Sequence, residues 1–96
     1  MINLAIFASG NGTNAENIIR YFSGHSWINV AVIVTNNKDA FVLKRAGNHN
    51  IPGRLITSVD LQDEDTMNDL FDMYQVDYII LAGFLKKILC WTFFSR

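Results

Sequence analysis

The sequence predicts an α/β fold, a Rossmann-like parallel sheet with flanking helices, and three observations carry that reading. Apolar runs such as Leu4–Ala8 and Ile79–Leu81 are continuous rather than alternating, the pattern of strands buried on both faces. Segments with helical spacing separate them. A parallel strand follows its neighbour only through a crossover that covers the sheet, so strand–helix alternation implies right-handed βαβ units.

The elements follow in order. Leu4-Ala5-Ile6-Phe7-Ala8 is the first strand, stopped by Ser9-Gly10-Asn11-Gly12. Thr13-Asn14-Ala15-Glu16 matches a capping box, in which the Thr oxygen accepts from the N3 amide and the Glu reaches back, so a helix starts at Thr13. Ala15, Ile18, Ile19 and Phe22 form its apolar stripe, and Ser23-Gly24 ends it. Ile28 to Val34 is a second buried strand, rich in β-branched residues. Asp39 is expected to cap a helix over about Ala40–Asn48, with Leu43 and Ala46 inward and Gly47 or Asn48 as its stop. Pro52-Gly53 leads into a short strand, Arg54–Thr57. A third helix places Met67, Leu70, Phe71 and Tyr74 on one side, with acids at its start suiting the positive dipole end. Val76 to Ala82 is the fourth strand, ending in Gly83.

Composition narrows the function classes. Ninety-six residues make a single domain over 1–96, and 50% hydrophobic content excludes a disordered chain. Eight Lys and Arg against nine acids give a net charge of −1, so no basic field attracts nucleic acid or anionic lipid. One cysteine, Cys90, closes no intrachain disulfide and suits a reducing, cytoplasmic setting. Tyr78–Ala82, an apolar stretch as long as any in the chain, is far short of the roughly 20 residues that span a bilayer, and no charged segment precedes Leu4–Ala8 as a secretory signal requires.

In open parallel sheets ligands gather at the carboxyl ends of the strands, which singles out Ser9–Asn14, Thr35–Lys38 and Gly83–Lys87. Gly10 and Gly12 let the backbone approach a ligand closely, while Thr13, Asn14 and the free amides of a helix start aim donors at it. That combination cradles an anion such as a phosphate. A plain glycine turn with a Thr cap accounts for the same residues. Gly10-x-Gly12-x-x-Ala15 also fits the dinucleotide fingerprint, but Val34-Thr35-Asn36-Asn37 holds no acid for a ribose before Asp39, which favours a phosphate monoester. A nucleotide- or dinucleotide-binding module stays open as the alternative, and a Walker-type loop is excluded because no Gly-Lys-Ser/Thr follows.

Ala8-Ser9-Gly10-Asn11-Gly12-Thr13-Asn14, Thr35-Asn36-Asn37-Lys38-Asp39-Ala40, Asp72-Met73-Tyr74 and Ile80-Leu81-Ala82-Gly83-Phe84-Leu85 resemble the phosphoribosylglycinamide formyltransferase family in order and spacing, over residues 2 to 89. The resemblance implies the amino-terminal half of a truncated formyltransferase fold and formyl transfer from 10-formyltetrahydrofolate to the amine of glycinamide ribonucleotide in purine (IMP) biosynthesis. It implies that Gly12, Thr13 and Asn14, with Gly10 and Asn11, hold the substrate phosphate, and that Leu85, Lys86, Lys87 and Ile88 line the pterin pocket. The family's catalytic Asn and His of an Asn-Ile-His-Pro segment, and an Asp beyond it, have no match in these 96 residues. No catalytic residue is therefore expected here, and the chain alone is expected to be inactive, or a non-catalytic remnant. An Arg that the family carries near its third helix has no match in Asp60–Met67, and Cys90 to Arg96 diverge.

The remaining chemistry-bearing residues have ordinary explanations. His25 and His49 fall in helix-to-strand connections, at the edge away from the ligand loops, and read as solvated loop residues. Cys90 beside Leu89 and Trp91 reads as a buried thiol, and Lys86-Lys87 as a solvated pair or a carboxylate anchor. Asp63-Glu64-Asp65 reads as a helix-start cluster rather than a metal site. An unpaired sheet edge and Trp91, Phe93 and Phe94 lead to the expectation of a homodimer.

Overall fold

The computed structural model describes residues 1–8 and 10–82. Four strands, β1 (Ile2–Phe7), β2 (Ile28–Thr35), β3 (Gly53–Leu55) and β4 (Tyr78–Leu81), form one sheet in the order β3-β2-β1-β4, with every pairing parallel. Helices α1 (Thr13–Phe22) and α2 (Phe41–Asn48) follow β1 and β2, while α3 (Ser58–Leu61) and α4 (Glu64–Met73) lie between β3 and β4. The expected α/β, Rossmann-like layout is what the chain adopts.

Both sheet faces are covered, which explains why the strands read as continuous apolar runs. One core joins Leu4, Ile6, Val30 and Ile33 to Ala15 and Ile19 of α1 and Val42 and Ala46 of α2. The other joins Ala5, Phe7, Val32 and Val34 to Leu61, Met67, Leu70 and Phe71, with the Phe7 and Phe71 ring centroids 6.2 Å apart. Val30 and Ile33 share a face although three positions separate them. Leu4 pairs with Val30 and Ala5 with Val32, so Ala31 is an extra residue, a bulge that reverses the alternation.

Four local expectations are corrected. Gly12, not Thr13, is the N-cap of α1, and among the described residues no side chain caps that end. Ala40, not Asp39, is the N-cap of α2, again without a side-chain bond, while the helix runs to Asn48 as expected, with His49 as its C-cap before a left-handed Asn50 with φ 58°. Val42 rather than Leu43 is the fully buried residue of its first turn. The region read as one third helix holds two. In the first, Thr57 Oγ1 accepts from the Asp60 amide at 3.0 Å and Asp60 Oδ2 accepts from the Thr57 amide at 3.0 Å, a complete capping box. Asp63 caps α4, accepting from the Asp65 amide and the Thr66 hydroxyl, and these bonds hold its carboxyl below the usual range.

Candidate functional site

The carboxyl end of β1 runs through the loop 8–12 into α1, and two glycines shape it. Gly10 and Gly12 have φ of 69° and 78°, the left-handed region that side chains disfavour. Space separates their roles. Nothing lies within 4 Å of a Cβ placed on Gly10, whereas one on Gly12 would sit 2.5 Å from Val42 Cγ2 and 3.0 Å from Val42 Cα. Gly12 is therefore required both by conformation and by the close approach of α2.

Helix α1 begins immediately after this turn. The Glu16 amide makes the first helical bond, to Gly12 O at 2.8 Å, so the amides of Thr13, Asn14 and Ala15 precede the hydrogen-bonded ladder. Thr13 and Asn14 are exposed there. The Thr13 hydroxyl accepts from Asn11 Nδ2 at 3.0 Å instead of capping the helix. Beside the loop, β2 ends in the fully buried Thr35, whose Oγ1 accepts from the Asn37 amide at 3.3 Å. Asn37 Oδ1 in turn accepts from the Asp39 amide at 3.0 Å, so Thr35–Lys38 is a tied turn rather than an open strand end. The first two expected ligand loops thus share one sheet edge, and the residues offered for the phosphate, Gly10 to Asn14, lie together on one of them. The third loop, with Leu85, Lys86, Lys87 and Ile88, lies outside the described residues, as does Cys90.

An ion cluster around the buried Glu16 stands behind the loop. The Glu16 side chain is 12% exposed and accepts from Arg20 Nε at 2.8 Å, from His49 Nε2 at 2.6 Å and from Arg45 Nη1 at 3.5 Å. The hydrogen bonds from Arg20 and then His49 outweigh the cost of burial and draw its pKa from the ordinary 4.5 down to about 2. An ionised carboxylate only accepts, so His49 carries its proton on Nε2. This corrects the reading of His49 as a solvated loop residue. His25 does remain a turn residue, its Nδ1 accepting from the Trp27 and Ile28 amides at 3.2 Å. Both imidazoles line a cavity of about 210 Å³ with Met1, Ile28 and Ile51, at the entry ends of the strands and so opposite the loop. Among the described residues, no three His, Cys, Asp or Glu side chains converge as a metal site, and no helix is long and apolar enough to cross a membrane.

Sequence and structure searches agree on kinship. The formyl transferase family profile matches residues 2–96. The chain belongs to the formyl transferase family. It is 34% identical over 91 residues to the phosphoribosylglycinamide formyltransferase of Haemophilus influenzae, covering 90% of this chain and 43% of that protein. The solved phosphoribosylglycinamide formyltransferase of Coxiella burnetii superposes with a TM-score of 0.78 at 32% identity, over 92% of this chain and 44% of the other. Glycinamide ribonucleotide transformylase 1 of Geobacillus kaustophilus gives 0.81 at 30% identity, over 93% and 50%. The chain therefore spans about half the length of these relatives, and its resemblance to the amino-terminal half of a phosphoribosylglycinamide formyltransferase holds.

In the sequence Glu16 reads only as a capping-box partner of Thr13, and Arg45 carries no local signal of its own. One signal was available: Val42, Arg45, Ala46 and His49 lie at i, i+3, i+4 and i+7, which puts a guanidinium and an imidazole on the inward stripe of α2. Two such groups on a packed face require an acidic partner from a neighbouring element.

Proposed function

We propose that this chain supplies the substrate-phosphate half of a folate-dependent formyltransferase that acts on the amine of glycinamide ribonucleotide. The single observation that supports this most is the loop itself: two left-handed glycines and a helix start that no side chain caps among the described residues, at the carboxyl end of a central parallel strand. In this reading the phosphate takes the place of the missing cap, with the Thr13 and Asn14 amides and the Asn14 side chain as donors and Gly10, Asn11 and Gly12 shaping the approach. Leu85, Lys86, Lys87 and Ile88 are proposed to line the pterin pocket of the 10-formyltetrahydrofolate cosubstrate, whose formyl carbon the substrate amine attacks. Formyl transfer needs a proton acceptor and a donor for the developing oxyanion. The family's Asn-Ile-His-Pro segment does not occur in the 96 residues, so turnover requires groups that this sequence does not hold.

Calorimetric titration of the chain with glycinamide ribonucleotide tests the reading. Saturable binding that inorganic phosphate displaces and NAD does not is the expected result. A flat titration at millimolar ligand, with circular dichroism showing the helices intact, overturns it. Stronger binding of NAD would instead favour the dinucleotide module. Pairing of two copies along β4 is proposed as well, because β4 is an edge strand among the described residues and exposes Tyr78 and Leu81. Light scattering that shows a monomer at high concentration overturns that part alone.

A further inference from the structure

The loop that carries the proposed phosphate site is gripped mainly from α2, across 30 and more positions of sequence. The Val42 amide donates to Gly10 O at 3.3 Å. The Val42 side chain closes on Gly12, as the 2.5 Å approach of its Cγ2 to a Cβ there records. Arg45 holds the residue between them: Nε donates to the main-chain oxygen of Asn11 at 2.8 Å and Nη2 to its side-chain oxygen at 3.2 Å. Its remaining nitrogen, Nη1, faces Glu16 Oε1 on the first turn of α1 at 3.5 Å. The Phe41 ring lies one turn earlier, 4.9 Å from the guanidinium carbon. One planar group therefore spans three partners, and a point-charge ammonium cannot match two oxygens of one residue and a carboxylate of another at once.

Resting on the reading of the loop as a phosphate site, we propose that Arg45 is a positioning residue: it fixes Asn11, and through it the left-handed turn from Gly10 to Gly12, in the shape that points the first amides of α1 at the ligand phosphate. It acts through the loop, not on the ligand. Its 3.5 Å contact with Glu16 is the longest of the three that carboxylate receives, and Arg20 already faces that charge at 2.8 Å, so the main effect of the guanidinium is on Asn11.

The test measures affinity for glycinamide ribonucleotide and for inorganic phosphate on the intact chain and three variants. Arg45→Met removes both charge and geometry, Arg45→Lys keeps the charge only, and Lys44→Met removes an equal charge from the neighbouring position of the same helix. Loss of a charge-assisted bond that organises the loop corresponds to a fall in affinity of about tenfold or more for Arg45→Met. Arg45→Lys is expected to recover less than half of that loss on a logarithmic scale, and Lys44→Met to change affinity by less than about twofold, because exposed charges are screened. Asn11→Gly combined with Arg45→Met should weaken binding by less than the product of the two single effects, since both act through one contact. If Arg45→Lys binds like the parent, or Lys44→Met weakens binding as much as Arg45→Met, general electrostatics accounts for the effect and the proposal falls. Should Arg45→Met fail to fold, Arg45→Lys against Lys44→Met still decides. A parent chain that binds neither ligand overturns the phosphate reading instead, so the two failures are distinguishable.

Discussion

Helices α1 and α3 both begin just past a strand on the same sheet edge, yet their first turns are built in opposite ways. Helix α3 is closed by its own side chains: Thr57 and Asp60 exchange two bonds of 3.0 Å and satisfy both amides. Helix α1 carries the better-looking motif, Thr13-x-x-Glu16, and leaves it unused. Its cap is Gly12, Thr13 turns to Asn11, and Glu16 is drawn back into a cluster with Arg20, Arg45 and His49. The difference teaches what the proposed phosphate site needs from a helix start. Where a chain must offer amides to an anion, the residues that would normally occupy them have to be engaged elsewhere.

The sharpest way to break the comparison is Gly12→Ala. The substitution adds the strain of a left-handed alanine to a methyl group driven against the backbone of Val42, and the two together cost about 3 kcal/mol. Gly10→Ala meets the same conformational strain in open space and costs about 1 kcal/mol. Urea denaturation of both variants measures the contrast. Equal losses would mean that α2 does not press on the loop, and the account of its shape would be wrong.

Glu16→Gln is next. Its cation partners range from the exposed Arg20 to the mostly buried Arg45, so solvent screening reduces the value of the cluster, and a loss of about 1–2 kcal/mol is expected at neutral pH. The pH dependence carries the sign. The folded pKa lies near 2, below the ordinary 4.5, so the parent holds this stability in full above about pH 4.5 and loses it as pH falls toward 2. The difference between parent and variant should shrink over that window. A difference that stays constant would place the effect in packing rather than in charge.

Much of the architecture was legible because burial on both faces leaves a local trace. Residues 76–82 contain all of β4, 28–34 all of β2 but Thr35 and 4–8 all of β1 but Ile2 and Asn3, and the Ala15 and Ile19 stripe faces the sheet as expected. The Gly10–Asn14 loop was legible for the same reason, since glycines after a buried strand leave few alternatives. What stayed hidden depends on contacts distant in sequence. Nothing near Ala31 announces a bulge, which arises from the pairing of β2 with β1. Nothing near Thr13 announces that Glu16 will prefer partners 29 and 33 positions away. Helix α3 was missed because four residues carry too little periodicity, although Thr57-x-x-Asp60 marks its start.

That last pair supplies the smallest and most discriminating measurement. By local pattern Thr13 and Thr57 are equivalent, each a threonine three residues before an acid, and a reading from sequence alone assigns both the same worth. The structure divides them. Thr57 Oγ1 accepts from a helix amide and its own amide donates to Asp60, so Thr57→Ala should cost about 1 kcal/mol. Among the described residues the Thr13 oxygen accepts an exposed bond from Asn11 Nδ2 and none from a helix amide, so Thr13→Ala should lie within about 0.5 kcal/mol of the parent. Paired thermal melts resolve a gap of that size. Similar destabilisation at the two positions would restore the capping box at Thr13, fill the amides that the proposed phosphate needs, and remove the physical reason for placing a ligand there.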